Sequence, residues 1–293
     1  MQFLGPVSWM LGISVHRDRE ARTIKLGQKQ YILDVLERFN MGDCNAVTSP
    51  VVVGSVTNSD EDHQAPLESS VPYQSLIGSL LYAAVCTRPD ITMVVSHLSR
   101  YMAKPMQSHW EQAKRVLRYL KGTADHGILY GVVQSTTLFG YSDADHASDG
   151  DGRRSRTGYV FMLNGGAVSW RSQKQQSVAL STAEAEYMAL AAATQEAMFL
   201  RQLMMDMQQH QHAGTVIYED NQSCIALTKN TMTTGRSKHI DIKYHFCRER
   251  QESGDIDVQY CSTEDMLADV LTKPVAAPRH KKLCALMMGI GCE

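Results

Sequence analysis

Between residues 7 and 16 apolar side chains alternate with others, Trp9, Leu11, Ile13 and Val15 falling on one face, which is the period of a strand. Residues 24–26 form a second short strand. Over residues 28–39 the spacing lengthens. Tyr31, Ile32, Val35, Leu36 and Phe39 recur at helical intervals. Further helices are predicted over 73–86, then up to about Tyr101 after the break at Arg88-Pro89-Asp90, and from Ser108 to just before Gly122. The last of these has an apolar side of Val116, Leu117 and Leu120. Lys114, Arg118 and Lys121 form a basic stripe at i, i+4 and i+7. Residues 50–70 are polar and carry Asn58-Ser-Asp-Glu-Asp-His, the best loop candidate in the chain.

The organisation changes near residue 131. Strands are predicted over 137–142, 157–163 and 167–170, and Asn164-Gly165-Gly166 makes the last two a hairpin. The loop 149–156 holds Arg153, Arg154 and Arg156. Ser181 and Glu184 fit a capping box opening a long Ala-, Leu- and Met-rich helix to about residue 207. A strand over 215–218, helices over 222–229 and 241–252, and a strand over 256–261 follow. Ser262-Thr-Glu-Asp265 again fits a capping box, predicting one helix that carries both Asp265 and Asp269. The order β-β-β-α-β-α-α-β-α implies an α/β fold, a mixed five-stranded sheet flanked by helices. It is preceded by a mainly helical region. We expect two domains, 1–130 and 131–293, the core of the second being 137–274.

Composition narrows the functional classes. The chain has 293 residues, 43% of them hydrophobic, enough to bury a real core. With 29 basic and 31 acidic side chains there is no global nucleic-acid signature, so any basic surface must be local. Seven cysteines without a C-x-x-C pair argue against zinc clusters and a disulfide framework, and for a reducing, intracellular setting. No apolar run is long enough to span a bilayer, so no membrane partner is expected. The first residues lack the pattern of a secretion signal.

The candidate chemistry is carried by acids. Asp143 continues the strand face of Phe139 and Tyr141, but Asp145 has the same parity. Either could be an exposed acid past a strand end. Glu184 fills the capping role at the long helix, which leaves Glu186 without an obvious structural job. Asp220 ends an apolar strand, where its ordinary role would be to cap the next helix. Asp265 looks like a cap, so Asp269 is the better site candidate. Four acids brought to one end of a sheet repel one another. They need cations, with hard oxygen ligands suiting Mg²⁺ or Mn²⁺, or neutralisation by Lys or Arg.

Seven stretches in one order carry a family resemblance. They are Gly-Tyr-Ser-Asp-Ala-Asp, Arg-Ser-Arg-Thr-Gly-Tyr-Val-Phe, Val-Ser-Trp-Arg-Ser-Gln-Lys-Gln, Ala-Leu-Ser-Thr-Ala-Glu-Ala-Glu-Tyr-Met-Ala-Leu, Glu-Asp-Asn-Gln-Ser-Cys-Ile-Ala-Leu, Lys-His-Ile-Asp-Ile-Lys-Tyr-His-Phe and Leu-Ala-Asp-Val-Leu-Thr-Lys-Pro. Residues 137–274 thereby resemble the ribonuclease H domain of copia-type retrotransposon Pol polyproteins. Leu-Gly-Ile-Ser-Val, Ile-Gly-Ser-Leu-Leu-Tyr, Thr-Arg-Pro-Asp-Ile and the stretch from His109 to Thr123 resemble the end of the preceding reverse transcriptase.

The resemblance implies a ribonuclease H fold and hydrolysis of the RNA strand of RNA–DNA hybrids. It implies two Mg²⁺ ions about 4 Å apart, with Mn²⁺ as a substitute. It selects Asp143 over Asp145 and Glu186 over Glu184. Asp143 would bridge both ions, Glu186 and Asp220 would hold one, and Asp269 would complete the other. Arg153, Arg154 and Gln222 become candidates for backbone or sugar contacts. The stripe of Lys114, Arg118 and Lys121 becomes a candidate for tracking the duplex.

Departures from the family pattern matter as well. The Tyr-x-Asp-Asp polymerase motif is absent, so no polymerase activity is expected from this chain, and the polymerase part of the polyprotein is an expected partner. Residues 231–235 depart from the family stretch, and His146 stands where Trp is common. Ser262 and Thr263 replace a His-bearing loop before Asp269. A nucleic-acid-binding remnant without catalysis is the alternative function.

Overall fold

The structure is a computed structural model that describes residues 5–54, 65–133, 135–146, 153–229 and 238–290, with side chains at 238–242 and 244 excepted. The polar stretch from Asn58, the first half of the loop 149–156 and the departing segment 231–235 lie outside the described residues. The chain divides into two compact units, Met1–Gln134 with Pro274–Glu293, and Ser135–Lys273.

In the first unit, β1 (Trp9–Met10), β2 (Ile13–Asp18), β3 (Thr23–Gly27) and β4 (Gly127–Tyr130) form an antiparallel sheet in that order. The single strand expected over 7–16 is instead a hairpin. Leu11 and Gly12 both take positive φ, 51° and 72°, and fold the chain back on itself, the backbone that a two-residue hairpin turn demands. The helices follow the predicted spacing closely: α1 (Lys29–Arg38), α2 (Tyr73–Cys86), α3 (Thr92–Leu98) and α4 (Gln107–Gly122). Their apolar faces meet in one core that includes Ile32, Leu36, Leu76, Ile77, Leu80, Val116 and Leu117. Beneath it lies a buried ion pair. Arg88 donates to both Asp90 oxygens at 3.0 and 2.7 Å, and Tyr119 Oη donates to Asp90 at 2.7 Å. Full pairing is what makes burying two charges tolerable.

The second unit holds β5 (Phe139–Asp145), β6 (Arg156–Leu163), β7 (Gly166–Lys174), α5 (Thr182–Asp206), β8 (Thr215–Glu219), α6 (Gln222–Lys229), α7 (Lys238–Glu252), β9 (Ile256–Tyr260) and α8 (Asp269–Thr272). The sheet order is β7-β6-β5-β8-β9. The first three strands are antiparallel, β8 runs parallel to β5, and β9 parallel to β8. This is the mixed five-stranded sheet with flanking helices that the sequence implied. The β6–β7 turn uses Asn164 and Gly165 at positive φ, 55° and 88°, as their residue types favour. α5 packs Tyr187, Leu190, Ala193 and Ala197 against Phe161, Ile217 and Val258 of the sheet.

Two expectations are corrected. Ser262 to Asp265 does not open a helix carrying Asp269. It forms a single 3₁₀ turn, Thr263–Asp265, after which Met266 is extended (φ −70°, ψ 100°) and fully buried. A separate four-residue helix, α8, then begins at Asp269, so Asp265 and Asp269 share no helix face. The second correction concerns the C-terminus. α9 (Ala277–Met287), placed with the second domain by sequence, belongs to the first unit, which also reaches residue 134 rather than 130. Its buried residues His280, Leu283, Cys284 and Met287 recur at i, i+3, i+4 and i+7. His280 Nε2 lies 3.3 Å from the Asp90 carbonyl oxygen, and the Leu129 amide donates to Met288 O at 2.8 Å. Among the described residues no helix is long and apolar enough to cross a membrane.

Candidate active site

Asp143 lies on β5, the strand between the antiparallel and parallel parts of the sheet, and is 1% exposed. Glu186 projects from the first turns of α5, where its Oε2 accepts the Ala144 amide at 2.6 Å. Asp220 follows β8 directly and is half-buried. Each of the three offers a carboxylate oxygen within 4.8 Å of the others. Asp145 stands outside this group, opposite Arg156 in the β5–β6 register.

The ordinary structural roles of these acids are taken by their neighbours. Asn221 Oδ1 accepts the Cys224 amide at 3.0 Å and caps α6, which frees Asp220 from that duty. Glu184 accepts the Leu180 amide at 2.9 Å, while its own amide donates to Ser181 Oγ at 3.2 Å, so the cap of α5 is complete without Glu186.

Asp269 is wholly buried but is not a member of the close trio. It is joined to Asp143 through Lys273, whose Nζ lies 2.7 Å from Asp269 and 3.7 Å from Asp143. Thr272 Oγ1 also donates to Asp143. The neutralising lysine weighed as an alternative to metal is therefore present, for one pair of acids. α8 reaches this position because β6 has no side chain at Gly158, the residue opposite Asp143. A Cβ there would come 2.6 Å from Thr272 Cγ2 and 2.9 Å from Leu271 Cβ.

Sequence reasoning missed Thr272, Lys273 and Glu219. Glu219 is fully buried beside Asp220, its Oε1 accepting the Asn221 amide at 3.2 Å and its Oε2 without a hydrogen-bond partner among the described residues. Its signal was available, since it shares strand parity with the buried Thr215 and Ile217. Lys273 and Thr272 sat inside the matched stretch Leu-Ala-Asp-Val-Leu-Thr-Lys-Pro but gave no sign of their own.

The electrostatics follow from crowding. Burial pushes the Asp143 carboxyl up to about 7, with Lys273 opposing and Asp269 adding to the rise. Burial, then repulsion from Glu219, Asp143 and Asp220, pushes Glu186 up to about 11. Burial raises Glu219 well above the carboxylate range. For Lys273, burial alone would lower the value, but Asp143 and Asp269 outweigh it and hold the ammonium above its usual range. Raised carboxyls at Asp143, Glu186 and Glu219, converging with Asp220 and carrying one buried orphan carboxylate oxygen, fit a hard divalent metal.

The nucleic-acid candidates separate into two groups. Arg153 and Arg154 are exposed just before β6, and Gln222 is exposed in the first turn of α6, two residues past Asp220. Lys114, Arg118 and Lys121 are half-buried in the first unit instead of forming an open stripe. Arg118 Nε donates to the Asn45 carbonyl at 2.7 Å, Lys121 donates to the Gly42 carbonyl, and Lys114 Nζ lies 6.0 Å from the Trp110 ring centroid. Two of the three thus pin a loop, a structural role for these basic residues.

No family model matches the chain. It is 43% identical over 99% of its length to the retrovirus-related Pol polyprotein from transposon TNT 1-94 of Nicotiana tabacum, covering 22% of that protein. It is 38% identical over 92% of its length to the Pol polyprotein from transposon RE2 of Arabidopsis thaliana, covering 18% of it. The chain thus spans about a fifth of the length of these curated relatives. A 131-residue stretch is 52% identical to the secreted RxLR effector protein 161 of Plasmopara viticola, covering 92% of that protein and 45% of this chain. Among solved structures, the ribonuclease H1 isolated from compost by a metagenomic approach covers 47% of this chain and 94% of its own, at 15% identity and a TM-score of 0.37. Ribonuclease H1 from Halobacterium salinarum covers 46% and 94%, at 19% identity and a TM-score of 0.35.

Proposed function

The chain belongs to the Pol polyproteins of copia-type retrotransposons, and on that premise we propose that its second unit is a ribonuclease H that hydrolyses the RNA strand of RNA–DNA hybrids. The observation that carries this reading is the convergence of Asp143, Glu186 and Asp220, from a strand, a helix and a strand end, within 4.8 Å. For Glu186 and Asp220 a neighbour takes the local capping role. Residues 1–130 are read as the end of a reverse transcriptase without the polymerase motif. The second unit then supplies cleavage only, with the polymerase part of the polyprotein and the hybrid as partners.

Two Mg²⁺ ions, or Mn²⁺ in their place, would be held by Asp143, Glu186, Asp220 and Asp269. When bound they supply Lewis-acid stabilisation of the scissile phosphate and a more acidic water. The protein's own part is to hold the oxygens in place. The Ala144 amide fixes Glu186, Thr263 Oγ1 donates to Asp220 Oδ2 at 2.7 Å, and Thr272 and Lys273 orient Asp143 and Asp269. Arg153, Arg154 and Gln222 would contact backbone or 2′-hydroxyl groups across the wide minor groove of the hybrid.

The pairing of Lys273 with Asp269 and Asp143 supports a second reading, in which the acids are neutralised internally and the chain binds nucleic acid without cutting it. Cleavage of a labelled RNA–DNA hybrid in Mg²⁺, with Asp143→Asn beside the parent, separates the two. Scission of the RNA strand alone, reduced about 10²-fold or more by the substitution, establishes the nuclease. A folded parent that binds the hybrid and leaves it intact establishes the second reading.

A further inference from the structure

The acids of the second unit are not equally placed towards positive charge. Lys273 Nζ lies 2.7 Å from Asp269 Oδ1 and 3.7 Å from Asp143 Oδ1, and so stands between these two carboxylates. Among the described residues no ion pair reaches Glu186 or Asp220. One half of the acid cluster therefore carries its own cation, and the other half does not. The two metal positions of the nuclease reading are unequal before any ion arrives.

Lys273 is built both to hold that place and to leave it. Its backbone is fixed as the C-cap of α8, the amide donating to Asp269 O at 3.0 Å. Its side chain is 32% exposed, against 2% for Asp143 and 0% for Asp269. The flexible four-carbon stem can carry the ammonium out to water while α8 and both carboxylates stay where they are. A divalent ion on the same two carboxylates would bind their oxygens at about 2.1 Å, within the space that the ammonium fills. Two cations so close repel each other, so the ion and the ammonium compete for one place. Glu186 and Asp220 carry no such occupant. Resting on the nuclease reading and its two ions, we propose that Lys273 is the resident cation of the second metal position. A first divalent ion enters at Asp143, Glu186 and Asp220, and a second is admitted between Asp143 and Asp269 as Lys273 withdraws.

The test is a titration of the full chain with Mn²⁺ in the absence of nucleic acid. It is followed by electron paramagnetic resonance, which reads free Mn²⁺ and neighbouring, coupled Mn²⁺ pairs separately. The parent should take a first ion roughly 10-fold or more tighter than a second. Lys273→Met keeps the stem and removes the charge. It should tighten the second ion by a similar factor, closing the gap to the first and bringing in the coupled signal at lower Mn²⁺. Lys273→Arg, which keeps the charge, should retain the gap. Asp269→Asn should abolish the coupled signal and leave the first ion bound. A parent that binds both ions equally, a gap that persists in Lys273→Met, or a gap that closes in Lys273→Arg overturns the proposal. Should Lys273→Met lose its far-ultraviolet circular dichroism, the parent and Lys273→Arg still decide. Hybrid cleavage is scored apart from binding. A parent that shows this order of binding and cuts nothing sinks the nuclease reading and leaves Lys273 in its role, while one that cuts and binds both ions equally does the reverse.

Discussion

The Ala144 amide donates to Glu186 Oε2 at 2.6 Å, tying the first turns of α5 to the residue next to Asp143. One hydrogen bond therefore sets the distance between two of the three converging acids. Glu186→Gln retains an acceptor for this amide and removes the capacity to ionise against a cation. Hybrid cleavage should fall about 10²-fold or more, whereas the thermal midpoint in chelator should not fall. A variant that cuts at the parental rate would remove Glu186 from the site.

The raised carboxyls predict an inverted pH dependence of stability. Asp143 and Glu186 hold their protons more tightly folded than unfolded, with folded values near 7 and 11 against ordinary values of 3.8 and 4.5. The folded state then binds more protons than the unfolded state, and stability falls as pH rises. The contribution from Asp143 is complete below about pH 4 and fades through pH 7, while that of Glu186 fades on towards pH 11. Thermal unfolding in chelator between pH 5 and 8 should show the midpoint of the second unit declining. Millimolar Mn²⁺ should flatten or reverse that slope, because a ligand of the folded state stabilises it. A midpoint that climbs with pH in chelator contradicts this account.

Glu219 sharpens the same point. It adds a further carboxyl beside the trio, and its Oε2 has no hydrogen-bond partner among the described residues. Glu219→Gln should raise the chelator midpoint by a few degrees and lessen the gain from Mn²⁺. A midpoint unchanged in both conditions would make the buried acid electrostatically silent.

Gly158 permits α8 to lie against β6, and a Cβ would meet Thr272 and Leu271 at 2.6 and 2.9 Å. Gly158→Val should cost about 1–3 kcal/mol by overpacking, read from urea unfolding of the 135–273 unit, and should reduce cleavage by displacing Asp269. Wild-type stability in this variant would mean that α8 yields without cost.

The basic residues of α4 are expected to behave as structural groups. Arg118→Ala with Lys121→Ala should destabilise the first unit by about 1 kcal/mol, through lost bonds to the Asn45 and Gly42 carbonyls. Hybrid affinity and its salt dependence should stay unchanged. A salt slope reduced by one or two units would restore the duplex-tracking role.

Much of this was legible because local periodicity and caps agree with the tertiary structure. The face of Ile32, Val35 and Leu36, the Asn164–Gly165 turn and the Ser181–Glu184 cap all read directly from residue types. Acid identity was harder. Parity gave Asp143 and Asp145 equal standing, and only the family pattern and then the converging geometry separated them. The break at Met266 has no Gly or Pro to announce it, so one helix was expected where there are two short turns. Lys273 and the carbonyl partners of Arg118 and Lys121 are long-range relationships. No spacing within a single element encodes them.

The path of the chain has a consequence for how the protein is made. Because α9, with His280, Leu283, Cys284 and Met287 buried, belongs to the first unit, residues 135–273 are an insertion within a discontinuous body. During synthesis the inserted unit has all of its sequence before its host does. The host's early segments must wait for residues 277–287 before Arg88, Asp90 and their surroundings are covered. Ending a recombinant chain at Lys273 would therefore leave the second unit whole and the first one open.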